Sequence, residues 1–385
     1  MQKFFDLLKI ALGNKTRFDV PPSEEDWQDF QKLATKQGLA GILYCGIENL
    51  DAEQRPPKKL EIKWSVLGMK VEDKCRHQNK RLVSIANRFK NDGFPNTVIK
   101  GQGISTLYTH PLRRQPGDID LWLDGGRDKI VDYVRKFVKP KQIVYHHVDF
   151  DPLKDVEMEL HFMPSWMYNP FTNHKLQRWF EEQKAEQFAN TTELPEGAGT
   201  IHTPTLYFNA VYILLHIYRH LFYEGIGLKQ LLDYYYILLQ EPMQNEEMRQ
   251  KVIDTIRMLG MTRFCRAIQW VLQEVFGLQN KYLLMQPSKK EGEFLLNEIM
   301  MAGNLGRHDP RMQFKKGDSR LLSLHVVSNV PSVSSSTIQA KSSGVPSSSS
   351  GTISGERVKA TCKSTPRSNH TFPSRPQNGS FTQSK

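Results

Sequence analysis

The sequence predicts an α/β (α+β) fold, with a small mixed sheet set between helical N-terminal and C-terminal regions and a disordered tail at the end. Three observations predict it. Apolar residues keep helical spacing over residues 1–92, change to short period-two runs over 93–165, and return to helical spacing over 166–320. Residues 321–385 then hold 18 serines and no strong apolar periodicity after about Val333. That composition buries too little apolar surface to offset ordering entropy. A chain of 385 residues accommodates two domains of ordinary size.

The charge has a location as well. The segment 321–385 carries seven Lys or Arg against the single acid Glu356, so it accounts for +6 of the formal +11. Residues 1–320 carry only +5, and a pI near 9.3 does not argue for a polynucleotide partner of the folded part. Cysteines 45, 75, 265 and 362 are scattered with no Cys-x-x-Cys pair. This argues against zinc and redox motifs and fits a reducing cytoplasm. No membrane role is expected. The start, with Phe4, Phe5, Leu7, Leu8 and Ile10 interrupted by Asp6 and Lys9, reads as an amphipathic helix rather than a signal peptide. The most apolar later run, 206–223, contains Asn209, His216, Arg219 and His220 and reads as a buried helix.

In chain order, Trp27, Phe30, Leu33 and Ala34 mark a helix, Pro56-Pro57 breaks the pattern, and residues 59–89 form a long helix. Asn91-Asp92-Gly93 stops it. Thr97-Val98-Ile99 is a short strand entering Lys100-Gly101-Gln102-Gly103 and a short helix over 104–108. A strand, a glycine-bearing turn and a helix can offer backbone N–H groups to phosphate. Residues 128–138 read as a helix and 143–150 as a further strand. From Pro164 helices return: 176–184, a long helix opening at Thr203-Pro204, another over 228–239, and two or three more to about residue 302. His216 and His220 share a helix face, but no third ligand accompanies them, so they read as interior or edge histidines.

The chemistry concentrates in residues 116–123, Pro-Gly-Asp-Ile-Asp-Leu-Trp-Leu. Asp118 and Asp120 alternate with Ile119, Leu121 and Leu123, so both carboxylates fall on one face of a strand. Their Cα atoms are then roughly 6–7 Å apart, close enough to converge on one divalent cation. Residues 156–162 alternate again, with Glu157, Glu159 and His161 on one face. A glycine turn, an Asp-x-Asp strand and a later acidic strand within about sixty residues form a far less common combination than any one of them.

The run Lys100-Gly101 … Tyr108 … Arg114 … Gly117-Asp118-Ile119-Asp120-Leu121 resembles the bacterial uncharacterised nucleotidyltransferase family of the polymerase-beta-like nucleotidyltransferase superfamily. The likeness extends to His216 … His220 … Gly225 … Leu228-Lys229 … Asp233 and covers roughly residues 20–315. The family's third acidic position falls on Glu159, where Asp is usual, with Glu157 the alternative. Gln102 follows Gly101 where the superfamily has Ser, and Ser105 lies nearby.

The resemblance implies transfer of a nucleoside monophosphate from an NTP to a small-molecule or protein acceptor, with release of pyrophosphate. Asp118 and Asp120 would hold Mg2+ or Mn2+. Glu159 would complete the second metal or act as general base. Gly101, Gly103 and Ser105 would admit the triphosphate, and Lys100, Arg114 and Lys229 are its candidate cations. His161 would orient Glu159. An aminoglycoside-type adenylylation shares this core, and Tyr234, Tyr235 and Tyr236 do not decide the acceptor. The non-enzymatic alternative is an inactive nucleotide-binding or interaction partner of toxin–antitoxin type.

Overall fold

A computed structural model describes residues 1–223 and 225–303, all within one compact unit; the serine-rich segment 321–385 lies outside the described residues. The helices α1 (Gln2–Ala11), α2 (Glu24–Gln37) and α3 (Ala40–Glu48) open the chain. Ser23 and Asp26 close a capping box on α2, and Gly38 ends it at φ +69°, a conformation that favours glycine. The 34-residue α4 (Lys58–Asn91) starts after Pro57. Leu60 and Trp64 near its start join a helical core, whereas Leu82, Ile85 and Phe89 near its end join a second core under the sheet.

Four strands follow, interleaved with short helices: β1 (Asn96–Val98), α5 (Gly101–Ser105), β2 (Ile119–Leu123), α6 (Arg127–Arg135), β3 (His147–Asp149) and β4 (Met158–His161). Their order in the sheet is β1-β2-β4-β3, with β2 and β4 parallel and both outer pairs antiparallel. The sheet is therefore mixed. The helix α7 (Pro170–Ala189) leads to a hairpin of β5 (Thr191–Leu194) and β6 (Gly199–His202). The sequence pattern does not reveal this hairpin, because its strands are four residues long and mostly polar.

The remaining helices are α8 (Leu206–Tyr223), α9 (Leu228–Leu239), α10 (Glu246–Met258), α11 (Thr262–Phe276) and α12 (Lys289–Ala302). The helix α8 begins two residues later than its Pro signal indicates. Thr205, not Thr203, accepts from Phe208 N (3.4 Å), while Thr203 Oγ1 donates to the Val98 carbonyl and ties the loop to β1. N-terminal and C-terminal helices share one core, where Phe4 and Leu8 are buried together with Val271 and Phe276. Asn14 fastens the two ends by donating to Tyr235 Oη and to the Phe276 carbonyl. Among the described residues no helix is long and apolar enough to cross a membrane.

Candidate functional site

Strand β2 is buried along its whole length, yet its two faces meet different surroundings. Ile119, Leu121 and Leu123 enter the sheet core with Val98, Val148 and Leu160. On the other face Trp122 is covered by Phe180, Phe188 and Phe208 from α7 and α8. Asp120, two residues earlier on that face, lies at the floor of a cleft of about 1330 Å³. Asp118 precedes the strand and lines the same cleft, half-buried.

Register assembles the rest of the floor. Asp120 stands opposite Glu159 on β4, and Glu159 stands opposite Asp149 on β3. The next row along the same face is Trp122, His161 and His147. His161 Nε2 lies 3.0 Å from Asp120 Oδ1 and 3.3 Å from Glu159 Oε2. Burial alone would lower the pKa of this imidazole, but those two carboxylates raise it above its ordinary value. Lys100 Nζ lies 2.6 Å from Asp120 Oδ1. Burial opposes the charge on Lys100 as well, and Asp120 outweighs it, so the ammonium is held above the usual lysine range. Glu159 is likewise drawn down to about 2: burial pushes it up, but the His161 hydrogen bond and Lys100 prevail.

Lys100 sits at φ +62°, ψ −150°, a backbone region that residues with a Cβ seldom occupy. This conformation lets β1 turn into α5 beside β2. The two glycines of the turn then differ. Gly101, at φ +43°, has only the Asp118 carbonyl near the position a Cβ would take, at 3.8 Å. Gly103 faces inward, where a Cβ would lie 2.2 Å from Thr203 Oγ1. Ser105 is buried, and its hydroxyl donates to the Gln102 carbonyl at 2.8 Å.

The opposite wall comes from the 106–117 connection and α9. Arg114 donates to both oxygens of Asp233, at 2.7 and 2.8 Å, and Tyr108 Oη donates to Asp233 Oδ1 at 2.7 Å. All three side chains are buried. Lys229, one turn before Asp233, is only 8 % exposed, and its side chain makes no hydrogen bond or ion pair among the described residues. Burial, then the Arg114 charge, lower its pKa to about 8 despite nearby Asp233 and Asp118.

The cleft thus gathers Lys100, Gly101, Asp118, Asp120, Glu159, Arg114 and Lys229 around one space, while Gly103 and Ser105 pack away from it. Asp120, Glu159 and His161 bring ligand atoms within 4.8 Å of one another, as do His147, Asp149 and Glu159, and also His146, His147 and His161. The protein therefore contains a carboxylate–histidine cluster able to hold a metal. Asp118 stands outside each of these groups among the described residues. The donor set fits a divalent cation: Asp120, Glu159 and His161 bring nitrogen and oxygen ligand atoms together, and Glu159 stays ionised at the cleft floor. Sequence reasoning passed over His146, His147 and Asp149. Their signal was the alternation of His147 and Asp149 inside a strand, concealed because β3 is only three residues long.

The family described as uncharacterised nucleotidyltransferase matches residues 23–277, which is more than half of the chain, so the chain belongs to that family. No curated protein matches it. Among solved structures it is similar to an antigenic nucleotidyltransferase-like protein from Paracoccidioides brasiliensis, at 12 % identity and a TM-score of 0.34. That similarity spans 57 % of this chain and 97 % of the other.

Proposed function

We propose that the chain is a metal-dependent nucleotidyltransferase that moves a nucleoside monophosphate from an NTP to a small-molecule or protein acceptor, releasing pyrophosphate. One observation carries the reading. Parallel pairing sets Asp120 beside Glu159, with Asp118 two residues earlier, on the floor of a cleft whose wall holds Lys229, a buried cation with no ion-pair partner among the described residues. Asp118, Asp120 and Glu159 would hold Mg2+ or Mn2+, which when bound neutralises charge growing on the pyrophosphate and keeps attacking and leaving oxygens in line.

The protein's own groups have separable roles in this reading. Lys229 faces the triphosphate with an ammonium that forms no ion pair among the described residues, though Asp233 and Asp118 stand near it. Gly101 leaves room for a phosphate to approach the backbone. His161 bridges Asp120 and Glu159 and fixes their spacing. A pKa near 2 suits Glu159 to cation binding rather than to general-base work, which is best done by a group titrating near the operating pH. Arg114 holds the wall in place through Asp233 rather than facing phosphate.

A second reading rests on Lys100. Its ammonium occupies Asp120 Oδ1, as it would in a nucleotide-binding or interaction partner that had given up catalysis. Calorimetry with each NTP, with and without Mg2+, separates the two. The enzyme reading expects Mg2+-dependent NTP binding that Asp118→Asn with Asp120→Asn abolishes while the unfolding transition is kept. Binding that ignores the metal and the double substitution would favour the inactive partner. Labelled NTP incubated with cell extract then identifies the acceptor.

A further inference from the structure

We propose that His147, Asp149 and Glu159 form a transition-metal site of mixed nitrogen and oxygen ligands, which shares Glu159 with the oxygen-only site proposed for Mg2+. The inference does not depend on nucleotide chemistry. Asp149 and Glu159 are register partners on antiparallel strands, and His147 lies two residues from Asp149 on the same face. His147 Nε2 is 3.6 Å from Asp149 Oδ1, and His147 Nδ1 is 3.3 Å from Glu159 Oε2. One ligand atom from each of the three side chains lies within 4.8 Å of the other two, close enough to converge on one cation.

Charge points the same way. Directly opposed carboxylates on neighbouring strands repel. Lys100 is placed on Asp120 and Lys141 on Asp151, so neither forms an ion pair with Asp149. Around these ligands stand further imidazoles. His146 Nε2 lies 3.2 Å from His147 Nδ1, and the buried Nδ1 atoms of His146 and His161 have no hydrogen-bond partner among the described residues. Arg219 Nη1 donates to His146 Nε2 at 3.2 Å and holds that ring beside His147. The ligands are half-buried, with side-chain exposures of 12 %, 21 % and 28 %, so an ion can enter from the cleft. Imidazole with carboxylates favours Mn2+, Co2+ or Zn2+ over Mg2+.

The test uses the full chain, stripped with chelator and titrated with Co2+ in the absence of nucleotide. Expected are paramagnetically shifted imidazole N–H resonances in the proton spectrum and, by calorimetry, tighter binding of Zn2+ than of Mg2+. His147→Gln and Asp149→Asn should each weaken Co2+ binding by about tenfold or more. His147→Gln should also remove one shifted resonance, with circular dichroism confirming that the fold is kept. Unchanged Co2+ affinity in both variants, or a Co2+ complex without shifted imidazole protons, overturns the proposal. Mg2+–NTP binding measured on the same sample reports separately on the transferase reading.

Discussion

In one wall of the cleft Arg114 and Asp233 match charge for charge, whereas on the strand floor carboxylates outnumber the cations beside them. Arg114, Asp233 and Tyr108 close on one another with two parallel charge-assisted bonds and a phenol, all removed from water. On the floor, Asp120 takes Lys100 and His161, Glu159 shares His161, and Asp149 has no ammonium or guanidinium ion-pair partner among the described residues. Lys229 stands on the same wall as Arg114, one turn before Asp233, but joins neither group of ion pairs among the described residues. The contrast teaches how to sort cations in a cleft. Arg114 and Lys229 both line it, and from spacing alone both are candidates for phosphate. Only the one without a carboxylate partner can change partners without exposing a buried charge.

Arg114→Ala tests this most severely. It leaves the buried Asp233 carboxylate with Tyr108 as its hydrogen-bond partner and Lys229 as its nearby charge, and stability should fall by about 3–5 kcal/mol in denaturant unfolding. Arg114→Met combined with Asp233→Leu should recover much of that loss, because both desolvated charges go together. A single variant with an unchanged unfolding midpoint but no NTP affinity would break the comparison and return Arg114 to the phosphate side.

Lys229→Met should act in the opposite direction. The folded pKa of about 8 lies below the ordinary 10.5, so below pH 8 the folded state carries the full cost of a buried ammonium. The substitution should therefore stabilise the protein by roughly 2–3 kcal/mol at pH 7. The gain should shrink between about pH 8 and pH 10.5, where the folded lysine loses its proton first and the unmodified protein becomes relatively more stable. Inorganic triphosphate should bind the variant roughly tenfold or more weakly, the loss expected for one charged hydrogen bond. Stabilisation without any loss of triphosphate affinity would make Lys229 a burial defect and not a ligand.

These two sites also mark what sequence can carry. Period-two alternation located β2 and β4, and with them the faces bearing Asp120 and Glu159, because a half-buried strand writes its orientation into every second residue. Pairing partners are not written there. That Asp149 would stand beside Glu159, and that Arg114 would meet Asp233 across 119 residues, depends on strand order and on the packing of α9. The shared core of the first and last helices was hidden for the same reason: helical spacing shows that a stripe is buried, not what buries it. Thr203-Pro204 shows the local limit. Its capping signal was real in type, but Thr203 is drawn to the Val98 carbonyl and the cap passes to Thr205.

The smallest effect should come from Ser105, whose type and position beside the glycine turn fit a phosphate ligand. Its hydroxyl already donates to the Gln102 carbonyl within α5, and the side chain is buried away from the cleft. Ser105→Ala should therefore cost only about 0.5–1.5 kcal/mol of stability, the net worth of one neutral hydrogen bond. Gln102 Nε2 would keep its bond to Gln78 Oε1, so the turn around Gly101 should hold its shape. NTP and triphosphate affinities should stay within about twofold of the unmodified protein, well below the 1.4 kcal/mol that a tenfold change represents. A larger fall in affinity than in stability would mean that the hydroxyl leaves Gln102 for the ligand. Gly101→Ala makes the matching measurement on the open side of the same turn: a Cβ at φ +43° strains the backbone where phosphate would approach, so affinity should fall there even though nothing is crowded.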